Sequence, residues 1–385
     1  MSRLEQLINE LCPNGVEYVN IGSIVNYEQP TNYIVTSTDY NDNFDIPVLT
    51  AGQSFILGYT NEIENIYNAS IESPVIIFDD FTAAFKWVDF PFKVKSSAMK
   101  MLTSNIEKTT LRYIFHMMSS ICYSTDEHKR LWISRYSQLQ IPLPPLPVQE
   151  EIVRILDNFT ELTAELTAEL TAELTARKKQ YEYYRNSLLR KVSFVEYRKI
   201  KDCFQRLRGT AITAGKMKEI ECEAGEIRVF AGGKTVVNAN EKDIPNANII
   251  RVPAVFVQSR GVIDVIYFEK PFTFKNEMWA YTHSEKTTVK YLFYFLKNNI
   301  QQFRSSASGM GSLPQISLPV TEDFLIPIPP LKEQERIVAI LDKFDTLTTS
   351  INEGLPAEIE ARKQQYEYYR DNLLNFEKID IEVLI

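Results

Sequence analysis

Apolar positions follow two different rhythms along this chain. Leu156, Phe159, Leu162, Leu166, Leu170 and Leu174 step by three and four residues, and Leu341, Phe344, Leu347, Ile351, Leu355 and Ile359 repeat the same steps. At ~100° per residue, eighteen residues make five turns, so each stripe predicts a long amphipathic helix. No Pro or Gly interrupts the first pattern from Val148 to about Arg190, which predicts a helix roughly 60 Å long. Length beyond ~25 residues points to a coiled coil. The natural partner of one stripe is the other, paired antiparallel. In the second stripe Gly354 and Pro356 predict a kink or restart near Leu355.

Segments of about 16–140 and 195–325 read differently. Short apolar and aromatic runs at 74–78, 90–94, 254–257 and 272–274 alternate with Gly, Asn and Asp, the pattern of β-rich structure. The expected fold class is therefore α+β. Two globular domains (1–140 and 195–325) are separated and joined by two long antiparallel coiled-coil helices (141–194 and 326–385), around a pseudo-twofold internal repeat.

The repeat is explicit. Residues 141–159, IPLPPLPVQEEIVRILDNF, return as IPIPPLKEQERIVAILDKF at 326–344, identical at 13 of 19 positions with an offset of 185. ARKKQYEYYRNSLL (176–189) returns as ARKQQYEYYRDNLL (361–374), identical at 11 of 14 with the same offset. The globular segments correspond only faintly: VEY at Val16 and Val195, VLTAGQS (48–54) against VFAGGKT (229–235), LRYIFHMM (111–118) against VKYLFYFL (289–296). Two conserved stems and two diverged heads suit two copies of one partner and two different targets.

Composition narrows the chemistry. With 385 residues, 44% hydrophobic and 24% charged, the chain is a folded protein of more than one domain. No stretch approaches the ~18 apolar residues of a membrane helix, and 1–15 lacks a signal peptide's apolar stretch, so a cytoplasmic location is expected. Cys12, Cys122, Cys203 and Cys222 are widely spaced, and His116, His128 and His283 form no metal-ligand spacing, so unpaired thiols and no metal site are expected. The net charge of -8 is uneven, being -5 over 16–140 and +4 over 195–325. AGGKT (231–235) lacks the first glycine of a phosphate-binding loop, because Arg228 stands there, and nucleotide binding is rejected. No methyltransferase motif or nuclease carboxylate cluster is found.

Two diverged domains, each followed by I-P-x-P-P-L-x-x-Q-E and A-R-K-x-Q-Y-E-Y-Y-R, with tandem TAEL units at 162–174, resemble the specificity subunit of type I restriction-modification systems, closest to the group with a central TAEL repeat. The resemblance covers nearly the whole chain. It implies a noncatalytic DNA-recognition subunit reading a bipartite site, one half per target-recognition domain. It further implies two methyltransferase subunits docked on the helices and restriction subunits reached through the assembled complex. S-adenosylmethionine, ATP and Mg then belong to those partners, and this chain carries no cofactor and no catalytic residue. Each TAEL unit adds about 6 Å of helix, so the repeat count acts as a ruler for the spacer between half-sites. The competing readings are a coiled-coil adaptor that binds only proteins and a freestanding methyltransferase.

Basic side chains on loops pair with phosphates or reach guanine edges. The candidate DNA contacts are Lys86, Lys93, Lys95, Lys129, Arg130 and Arg135 in the first head and Arg206, Arg208, Lys234, Arg251, Arg260 and Lys275 in the second. Ser308 and Gly309 join them, since 305–317 is a Gly and Ser loop resembling the family's head loop before the last strand and helix.

Overall fold

A computed structural model describes residues 1–52, 54–105, 107–121, 123, 130–190, 195–233, 235–308, 313–350 and 353–379. The chain forms two units, Met1–Glu169 with Ile359–Ile385, and Leu170–Glu358.

Unit one opens with helix α1 (Arg3–Leu11), closed by a capping box in which the Ser2 side chain accepts from the Glu5 N–H and Glu5 accepts from the Ser2 N–H. Strands β1 (Glu17–Asn20), β2 (Val25–Glu28), β3 (Ile46–Leu49), β4 (Ile56–Thr60), β5 (Val75–Asp79), β6 (Phe85–Val88), β7 (Lys93–Val94) and β8 (Met99–Ser104) follow. Helix α2 (Leu111–Ser120), strand β9 (Gln140–Leu143) and the first part of helix α3 (Leu146–Arg190) complete this half of the sequence.

Unit two takes up the rest of α3, then β10 (Tyr197–Lys199), α4 (Ile200–Cys203), β11 (Gln205–Arg208), α5 (Ala214–Glu219), β12 (Ile227–Phe230) and β13 (Val236–Ala239). It continues with β14 (Ala254–Gln258), β15 (Asp264–Phe268), β16 (Phe272–Phe274), β17 (Trp279–Thr282), α6 (Lys286–Asn298), α7 (Ile300–Ser305), α8 (Leu318–Glu322), β18 (Leu325–Pro327) and α9 (Leu331–Thr349). Helix α10 (Leu355–Leu373) begins in unit two and ends in unit one.

The two heads have one topology. Each holds an antiparallel four-stranded sheet, ordered β2-β8-β5-β6 in unit one and β11-β17-β14-β15 in unit two. Each holds a three-stranded sheet, β4-β3-β7 or β13-β12-β16, whose central strand has one antiparallel and one parallel neighbour. A two-stranded ribbon, β1 with β9 or β10 with β18, leads into the helical part.

The apolar run of β5 explains the layering. Val75, Ile76, Ile77 and Phe78 are all fully buried, and successive side chains point to opposite faces of the strand. Ile76 and Phe78 pack with Tyr113, Ile114 and Met117 of α2, whereas Val75 and Ile77 pack with Leu49 and Val94 of the three-stranded sheet. In unit two, Val255 and Val257 face α6, while Ala254 and Phe256 meet Phe230, Phe272 and Phe274. Each head is thus helix, sheet and sheet in three layers.

The long unbroken helix is α3, and the second stripe breaks where expected. Gly354 adopts φ +114°, and a Cβ there would lie 2.7 Å from Thr346 O, so glycine lets the chain close against the end of α9. Pro356 then sits in the first turn of α10, where its missing N–H costs no helical bond.

Candidate nucleic-acid interface

The functional reading turns on the loop edge of unit two, which three backbone segments build. Gly233 (φ +73°) donates to Arg260 O at 3.1 Å, and Gly261 (φ +80°) donates to Pro314 O at 2.8 Å. A Cβ on Gly261 would lie 2.9 Å from Gly233 N, so glycine at 261 is needed for this close approach, and Gly233 turns with a positive φ. Ile316 N donates to Ser259 O at 2.9 Å, and Ser308 exchanges two backbone bonds with Gln315. The segment at 231–233 and residues Ser308 and Pro314–Ile316 therefore meet through 259–261.

Two grooves open at this edge. One, of about 640 Å³, is lined by Lys218, Arg260, Lys275 and Glu277. The other, of about 540 Å³, is lined by Arg206, Arg208, Asn276 and Gln315. Arg208 also lines a third groove of about 580 Å³ with Asn248, Arg251, His283 and Lys286. Among the cations, Arg206 is held by Glu322 at 3.1 Å, Lys275 by Glu277 at 3.0 Å and Arg251 by Glu241. Arg208 and Arg260 are exposed and have no side-chain partner among the described residues.

Unit one offers a different chemistry at matching places. Lys95, Arg130 and Arg135 are exposed, Lys95 lying 5.8 Å from the Tyr40 ring, and Lys86 is half-buried on β6. Lys93 is corrected: it is not a DNA contact but a buried group, its Nζ 2.9 Å from Glu62 Oε2 and 2.8 Å from Glu64 O. As the first residue of the inner edge strand β7, it points into the fold. Burial pushes the Glu62 carboxyl up, but the Ser37 N–H, Lys93 and Thr36 hydrogen bonds outweigh it and hold the pKa at about 2. Lys129, Lys234 and Gly309 lie outside the described residues.

The heads also diverge in their interior. The sheet registers and shared faces make Ser259 the counterpart of Asp80 and Trp279 the counterpart of Lys100. Asp80 and Lys100 form an ion pair at 3.0 Å with both side chains 1% exposed. Asp80 Oδ1 also accepts from the Leu131 and Trp132 N–H groups, and Lys100 donates to Gln29. Charge composition alone does not reveal this pair.

Each head is tied to its helix by one aspartate. In unit one, Arg112 Nε and His116 Nε2 of α2 both lie 2.8 Å from Asp157 Oδ1 on α3. In unit two, Lys290 and Tyr294 of α6 bond Asp342 of α9 in the same arrangement.

Helix contacts within each unit repeat too. Phe159 stacks on Tyr369 and Thr160 Oγ1 meets Tyr366 OH at 3.0 Å, an antiparallel match of α3 with α10. In unit two Phe344 of α9 lies against Tyr181 and Tyr184 of α3. Leu156, Leu341 and Leu355 are buried, the first two within the cores of their own heads. Leu166, Leu170, Leu174, Leu347 and Ile359 are half-buried, and Ile351 lies outside the described residues. Leu162 is corrected: it is 50% exposed, because six residues advance the helix by about 240° and carry it off the face of Leu156.

Among the described residues no group of three or more His, Cys, Asp and Glu could hold a metal ion, and no helix is long and apolar enough to cross a membrane.

Comparison with known proteins accounts for the duplication. The family described as "Type I restriction modification DNA specificity domain" matches twice, at residues 13–176 and 193–361. The chain is 44% identical to the type I restriction enzyme EcoR124I/EcoR124II specificity subunit of Escherichia coli, over 98% of both chains. It is 33% identical to a putative type I specificity subunit of Haemophilus influenzae, covering 84% of this chain and 86% of that one. Two solved structures share the fold at low identity. One, from the type I restriction-modification system of M. genitalium, is 15% identical with a TM-score of 0.52, covering 93% of this chain and 95% of that chain. The other, from work on type I complex assembly, is 16% identical with a TM-score of 0.62, covering 95% and 98%. With two matched domains, two heads of one topology and a relative 44% identical over 98% of both chains, this chain belongs to the type I restriction-modification DNA specificity family, as a specificity subunit.

Proposed function

We propose that this chain is the DNA-reading component of a type I restriction-modification complex, each unit reading one half of a split site. The observation that carries the reading is selective divergence. Helix contacts recur at the same offset in both units, while the loop edges carry different side chains on the same backbone scaffold. Conserved stems fit identical partners, and unlike edges fit unlike DNA words. The stems then dock two methyltransferase subunits, with restriction subunits joining the assembled complex. S-adenosylmethionine, ATP and Mg act on those partners, in the cytoplasm.

The length of α3 is the proposed ruler for the spacer. Deleting one TAEL unit shortens the helix by about 6 Å, between one and two base-pair rises of ~3.4 Å.

The test is to sequence methylated sites in cells expressing this chain with its methyltransferase subunits, with and without one TAEL unit. The expected result is a split motif whose spacer shortens on deletion while both words persist. Absence of any enriched motif would favour the protein-only adaptor.

A further inference from the structure

Two side chains stand next to each other on the loop edge of unit two. Arg260 and Gln315 are Cα partners in an antiparallel bridge. Backbone bonds flank the pair, from Gly261 to Pro314 at 2.8 Å and from Ile316 to Ser259 at 2.9 Å. In this non-hydrogen-bonded register opposite Cα atoms lie about 4.5 Å apart and the side chains leave from the same face. Both residues are exposed, and neither side chain has a partner among the described residues. Their backbone is fixed from below by the Gly233–Arg260 bond and from the side by the Ser308–Gln315 exchange.

We propose that Arg260 and Gln315 are the base-reading pair of unit two, with Arg260 on a guanine and Gln315 on a neighbouring adenine in the major groove. The inference rests on the DNA-reading assignment above. A two-stranded β-ribbon fits that groove. A guanidinium matches guanine O6 and N7 bidentately, and a carboxamide matches adenine N6 and N7. The lateral spacing of the pair is close to the ~3.4 Å rise between base pairs. Nearby cations are engaged elsewhere: Lys275 by Glu277 and Arg206 by Glu322. In unit one the counterpart of Arg260 is Phe81, so the pair belongs to unit two alone and the other half-site serves as an internal control.

The experiment sequences methylated sites in cells carrying the complete system with the wild-type chain, R260A, R260K or Q315A. R260A and R260K should each relax one guanine position in one half-site by about tenfold or more, the discrimination of a lost bidentate pair. Q315A should relax the adjacent adenine, and the other half-site should stay unchanged. R260K keeps the charge, so a wild-type motif from R260K would overturn the proposal. Uniform weakening at every position of the half-site would also overturn it, being the signature of a phosphate contact. Should R260A fail to accumulate, R260K and Q315A carry the test. A wild-type chain with no split motif would overturn the DNA-reading assignment itself, an outcome distinct from a split motif that the variants leave intact.

Discussion

Phe159 lies parallel to Tyr369, with ring centroids 5.7 Å apart and planes 9° apart. Its counterpart 185 residues on, Phe344, stacks with Tyr184 at 5.4 Å and 27°. Stacked rings contribute ~0.5–1.5 kcal/mol beyond their buried area. A double-mutant cycle on F159A and Y369A should therefore return a coupling of about that size in denaturant unfolding. Additive losses would show that the stack contributes only through burial.

The Asp80–Lys100 pair makes unit one sensitive to loss of a charge, where unit two places the uncharged Ser259 and Trp279. Lys100→Met removes the ammonium while keeping an unbranched apolar chain, and it leaves the Asp80 carboxylate buried without its cation. Removing one member of a buried pair costs ~3–5 kcal/mol. K100M should lower the melting temperature strongly, and Met278→Leu should change it little. Similar small shifts in both variants would mean that water already reaches Asp80.

His116 gives unit one an acid sensitivity that the matching Tyr294 does not give unit two. Burial pushes its pKa below the ordinary 6.5, the Asp157 hydrogen bond and charge pull it back up, and Arg112 and Arg370 push it down further. The ring is therefore neutral in the folded unit at pH 7, while the unfolded chain takes up the proton near 6.5. Stability is full above that value and is lost as pH falls through it. His116→Tyr restores the side chain that bonds the aspartate in unit two, Tyr294. Melting curves at pH 7.5 and 5.5 should separate widely for wild type and less for H116Y. Equal separation in both would assign the acid loss to other groups.

Much of this architecture is visible in residue order because it is periodic or repeated. The stripe on α3, the break at Gly354 and Pro356 and the matched helices 111–118 and 289–296 all follow from spacing. The runs at 254–257 and 272–274 become β14 and β16. Partnering is not periodic, and that is where reading by residue type failed. Lys93 looks like any surface lysine until Glu62 and the Glu64 carbonyl close on it. Asp157 meets Arg112 and His116 across more than forty residues. Gln315 carries no charge, so a search for basic side chains passes over it, although the bridge to Arg260 sets it on the same edge.

Charge distribution decides how this chain should behave away from its partners. Its net charge is -8, with residues 16–140 at -5, while cationic side chains on the phosphate backbone supply essentially all of a protein's non-specific affinity for duplex. The isolated chain should therefore bind duplex weakly at physiological salt, and tight binding would contradict this. In the assembled complex Arg208, exposed and without an acidic partner among the described residues, lines two grooves of unit two as a candidate phosphate contact. Arg208→Ala should weaken binding of cognate and unrelated duplexes alike and reduce the slope of log affinity against log salt by about one. Anisotropy titrations across about 50–200 mM salt measure that slope. An unchanged slope would remove Arg208 from the contact surface, and a loss confined to cognate DNA would move it to base reading.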